Sequence, residues 1–82
     1  MKQKYSEAAI RELYRIDNKY WKTGDTDILA ARIEAAQRIS ERFYGEVSGI
    51  VSIATRTNKP LKTVIDALAV LGFEMEVKDE TD

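Results

Sequence analysis

Apolar positions recur every three or four residues along most of this chain and change to strict alternation only near its end. Ile10, Leu13, Tyr14, Asp17, Tyr20 and Trp21 have helical spacing, which predicts an amphipathic helix over 7–22. Ser6 is placed to cap its start, and Glu7 meets the positive end of its dipole. Gly24 can take the left-handed conformation that closes a helix. Asp25 or Thr26 then caps a second helix, predicted over 27–44 and ending at Gly45. Its stripe is Leu29, Ile33, Ala36, Ser40 and Phe43, widened by Ile28, Ala35 and Ile39.

The next segment, 46–56, supports two readings. Val47, Ile50, Val51 and Ala54 have helical spacing, but Gly49 and the β-branched aliphatics lower the propensity. It is read as a short helix that depends on tertiary support, with a buried strand as the alternative. After the turn Thr57-Asn58-Lys59-Pro60 the pattern becomes plain again. Proline suits a first helical turn, where its missing N–H costs nothing. Leu61, Val64, Ile65, Leu68 and Leu71 make a clean stripe for a helix over 60–72, closed by Gly72. Phe73-Glu74-Met75-Glu76-Val77 alternates apolar and acidic, the period of a half-buried strand, and 78–82 reads as a flexible acidic tail. The expectation is one all-α domain over 1–82, with four to five short helices, helix-turn-helix-like, and a short C-terminal β-strand.

Composition mainly removes options. The 82 residues include neither cysteine nor histidine. Disulfides, thiolate metal sites and the commonest general base are therefore absent from the chemistry available. Ser40, Ser48 and Ser52 have no histidine to activate them, and the isolated glycines 24, 45, 49 and 72 do not form a phosphate-cradling loop. Asp25 and Asp27 read as helix-capping residues rather than a calcium site. The expectation is a non-enzyme without cofactor, metal or small-molecule substrate. The first residues, Met1-Lys2-Gln3-Lys4, lead into a charged helix rather than reading as a signal peptide, and no apolar run reaches membrane-span length, so a cytoplasmic protein is expected.

Charge adds something the total conceals. The formal net charge is −1. Up to Lys22 there are six basic residues against three acidic ones, and from Ala36 to Lys62 there are five against two. The tail from Glu74 onward carries five acids against Lys78 and offsets this excess. Such asymmetry suggests a face for nucleic acid or another charged partner.

The stretch from Arg38 to Val77 resembles the helix-turn-helix domain of the lambda-repressor-like (XRE-type) family, in particular phage regulators and HigA-type antitoxins. The resemblance is carried by Asn58-Lys59-Pro60-Leu61-Lys62-Thr63-Val64-Ile65-Asp66-Ala67-Leu68-Ala69-Val70-Leu71-Gly72 and the strand-like residues that follow. More loosely, 39–47 resembles the first helix of the motif and its turn. Residues 47–53 resemble the recognition helix, with Ile50 and Ile53 buried and Ser48, Gly49, Ser52 and Thr55 exposed. The resemblance implies a small transcriptional regulator that binds duplex DNA as a dimer.

On this reading Arg38, Arg42, Arg56, Lys59 and Lys62 contact phosphates, with Ser48, Ser52 and Thr55 on the exposed helix face. These hydroxyls are not the bidentate Asn, Gln and Arg side chains that usually read base edges. The competing reading of the cations is a solvated helix surface. Tyr5, Tyr14, Tyr20 and Trp21 read chiefly as core, with a stacking platform for single strands as the other use. A lone strand needs a partner edge. Phe73, Met75 and Val77 are therefore expected at a homodimer or partner interface, unless the strand simply lies on the core. The alternative function is a helical protein-interaction module, a phage-encoded inhibitor or antitoxin directed at another protein.

Overall fold

The computed structural model describes residues 3–76; Val77 and the acidic tail lie outside the described residues. It is mostly helical: β1 (Gln3–Tyr5), α1 (Glu7–Thr23), a 3₁₀ turn (Thr26–Ile28), α2 (Leu29–Ile39), α3 (Tyr44–Arg56), α4 (Leu61–Val70) and β2 (Phe73–Met75). The Ser6 hydroxyl accepts the Ala9 N–H to cap α1, and Gly24 closes it at φ 66°. Asp25 accepts the Asp27 N–H in the same capping manner, but the turn it starts is 3₁₀.

The long second helix expected over 27–44 is broken. Ser40 turns extended at φ −158°, and its hydroxyl accepts the Phe43 N–H at 3.0 Å. That local bond competes with continuation of the helix, so α2 stops one residue earlier and α3 starts afresh at Tyr44. Gly45 lies inside α3 and does not end a helix. Residues 46–56 are helical, as the apolar spacing indicates. Buried Val47, Val51 and Ala54 face the core cluster, supplying the tertiary support that β-branched residues require.

The α3–α4 turn is a Schellman closure. Asn58 takes φ 60°, and the Lys59 N–H reaches back to the Ala54 carbonyl at 2.8 Å. The Tyr14 hydroxyl donates to the Lys59 carbonyl at 2.7 Å, fastening this turn to α1.

The C-terminal strand has a partner within its own chain. β2 pairs in parallel with β1, in the register Gln3 with Phe73, Lys4 with Glu74 and Tyr5 with Met75. One edge of the strand is thus paired without a second copy, and no strand lies along its other edge among the described residues. The first residues, expected only as a lead into α1, are the missing edge. Phe73 is buried beside Phe43, their rings edge-to-face with centroids 6.2 Å apart, and Met75 is half-buried against the core. The sheet thus joins the two ends of the described chain over a core of Ile10, Leu13, Val47, Val51, Val64 and Leu68.

Candidate nucleic-acid interface

Asp17 lies fully buried on the core-facing side of α1, and the surrounding helices supply its partners. Arg32 from α2 donates through Nε to Oδ1 as an ion pair. From α3, the Thr55 hydroxyl donates to Oδ2 at 2.7 Å and the Ser52 hydroxyl to Oδ1 at 3.3 Å. Arg32 also donates through Nη2 to Ser52, and Trp21 donates its indole N–H to Asp17 at 3.2 Å and to Ser52 at 3.3 Å. A buried carboxylate is tolerated only with this kind of compensation. The network binds α1, α2 and α3 together with polar chemistry where an apolar stripe would otherwise run.

It also changes the face that α3 presents. Ser52 and Thr55, expected to point at DNA, are 8% and 6% exposed and committed to Asp17. Ser48 is half-buried and Gly49 exposed. Ile53, expected inside, is 65% exposed. The expected boundary between the two motif helices also disappears, because residues 44–56 form one unbroken helix. Connections of four residues occur instead at 40–43 and 57–60.

The expected phosphate contacts separate into two groups. Arg38 lies in the last turn of α2 and Arg42 in the loop after it, with its guanidinium 5.1 Å from the Phe43 ring. Arg56, Lys59 and Lys62 lie at the opposite end of α3, whose 13 residues span about 20 Å. All five are exposed. Lys62 is paired with Asp66 at 2.8 Å, whereas Arg56 and Lys59 have no ion-pair partner among the described residues.

Arg56 of the second group adjoins Trp21, which sequence spacing assigns to the core. A cleft of about 330 Å³ is lined by Asn18, Trp21 and Lys22 from α1, Thr55 and Arg56 from α3, and Asn58 from the turn. Trp21 remains 41% exposed there, so it belongs to this cleft more than to the core. The Arg56 guanidinium lies 4.6 Å from its ring centroid, Arg32 lies 5.9 Å away, and Tyr20 meets it edge-on at 5.0 Å. Lys22 is likewise without an ion-pair partner among the described residues, in contrast to Arg11 and Arg15, which are paired with Glu7 and Glu12. The signals for this site in the sequence are Asp17, a charge in an apolar stripe, and the aromatic next to the cation in Trp21-Lys22.

A second cleft, about 300 Å³, lies by the strand end and is lined by Gln3, Phe43, Glu46, Leu71, Gly72 and Phe73. Among the described residues no cluster of acidic side chains has the makings of a metal site, and no helix is long and apolar enough to cross a membrane. No protein-family model, curated protein or solved structure matches the chain.

Proposed function

We propose that this chain is a small nucleic-acid-binding module, of the kind that serves transcriptional regulation, and that it holds DNA chiefly by the phosphate backbone. The observation that carries the reading is the grouping of Lys22 and Arg56 around a partly exposed tryptophan, with Lys59 in the adjoining turn and none of the three with an acidic partner among the described residues. Lys22 and Arg56 also answer the negative ends of α1 and α3, which fixes them locally without neutralising them. With Ser52 and Thr55 turned inward, the contacts available position the protein more than they read sequence. Three consecutive helices joined by four-residue connections are consistent with a helix-turn-helix arrangement.

The test is the salt dependence of binding to duplex DNA. The Arg56→Ala, Lys59→Ala double variant should flatten the log–log slope by about two, roughly one for each phosphate that is no longer neutralised. An unchanged slope, or no binding by the parent protein at low salt, removes this reading. A protein partner is the second reading. It is favoured by Ile53, Val70 and Leu71, which are 65%, 87% and 55% exposed.

A further inference from the structure

We infer that the cleft between α1 and the α3–α4 turn takes a single nucleotide unit, its base against the Trp21–Arg56 surface and its phosphate on Lys22. The inference deepens the nucleic-acid reading and rests on it: it names the part of the polymer this cleft accepts.

The buried carboxylate supplies the first reason. The Trp21 indole N–H is bonded to both Asp17 and Ser52, so the ring is fixed in orientation although much of it faces solvent. A ring held in this way is a ready stacking surface, and little side-chain freedom remains to be lost on binding. Arg56 lies against the same ring and adds a flat cation, which itself stacks on bases.

The lining supplies the second. Asn18 and Asn58 line this cleft, and neither side-chain amide has a hydrogen-bond partner among the described residues. Each offers two donors and an acceptor, the complement a base edge requires. Lys22 supplies a free positive charge. A cleft of about 330 Å³ is at the small end of ligand sites, which suits one nucleotide rather than a helix face. A simple anion would use Lys22 and Arg56 but leave the indole and both amides idle. In a duplex the base faces are hidden by stacking, whereas an unpaired residue presents them.

The protein contains one tryptophan, so its emission reports from the site itself. Full-length protein is titrated with oligothymidylate, with the duplex formed by that strand and oligoadenylate, and with thymidine 5′-monophosphate. Quenching by the strand, reduced at least about fivefold in affinity by Lys22→Ala and by Asn58→Gly, supports the site. Asn58→Gly keeps the left-handed turn while removing the amide, and Lys22 is exposed, so neither change threatens the fold. Equal quenching by the mononucleotide identifies a free nucleotide as the ligand; quenching by the strand alone identifies an unpaired residue in a chain. Duplex binding without change in Trp21 emission, with no response to the strand or the mononucleotide, overturns the inference and leaves the phosphate reading standing. Affinity for the strand unaltered in both variants also overturns it. Failure to bind any of the three removes both readings.

Discussion

Thr55 donates its hydroxyl to the buried carboxylate of Asp17 across 2.7 Å, joining α3 to α1 at a position where a surface contact with DNA was expected. A side chain so placed acts on stability. Thr55→Val preserves the shape and removes the donor, so it should cost about 1–2 kcal/mol in urea denaturation. Its effect on DNA affinity should be negligible. Unchanged stability together with weakened DNA binding would return Thr55 to the surface.

Arg32 engages the same network through two different nitrogens, Nε toward Asp17 and Nη2 toward Ser52. A lysine keeps the charge but is a single point donor without the planar fork. Arg32→Lys should therefore lower stability by about 1.5–3 kcal/mol, the range for a charged hydrogen bond, despite the unchanged net charge. A double-mutant cycle with Ser52→Ala should show coupling beyond about 0.5 kcal/mol, because the two residues touch. Additive losses would mean that the contact contributes nothing.

Much of the helical architecture was legible in the sequence because its signals are local. Ser6, Gly24 and Gly72 sit where capping chemistry requires them, and the stripe Leu61, Val64, Ile65 and Leu68 needs only spacing, although Leu71, assigned to the same stripe, is exposed beyond the helix end. What escaped was set by tertiary partners. Ser40 gave no sign that its hydroxyl would capture the Phe43 N–H and break a periodic run. Gln3–Tyr5 is too short to announce a strand, and its partner is some seventy residues away. The site shows the same division. The exposed cations could be named from composition, but the inward turn of Ser52 and Thr55 follows only from Asp17 and Arg32 meeting across two helices.

Tyr5 makes stability depend on alkaline pH. Its ring is buried by the sheet, and its hydroxyl has no hydrogen-bond partner among the described residues. Burial raises its pKa above the ordinary tyrosine value near 10. The folded state then keeps the proton at pH values where the unfolded chain has released it. Stability associated with this group is complete below about pH 10 and is lost as pH rises through the folded pKa. Tyr5→Phe should remove that dependence and, by deleting an unsatisfied hydroxyl, raise stability by about 1 kcal/mol at neutral pH. Urea midpoints of the two proteins, compared from about pH 8 to 11, check both parts. Parallel curves would rule out the link to Tyr5.

The strand pair leads to a prediction about association. β2 is paired with β1 along one edge, with Gln3 N–H donating to the Gly72 carbonyl at 3.1 Å and Glu76 N–H to the Tyr5 carbonyl at 2.7 Å. Removing residues 1–5 takes away that partner and Tyr5 together, uncovering Phe73 and leaving β2 with both edges open. Loss of a buried aromatic alone costs about 3–5 kcal/mol, and an apolar open edge is a template for pairing between chains. The truncated protein should therefore be destabilised and self-associate in sedimentation velocity, while the full chain shows no association through this strand. A full-length dimer that becomes a folded monomer when Phe73–Asp82 is deleted would instead place β2 between two copies. The second copy would then pair along the edge of β2 that faces away from β1.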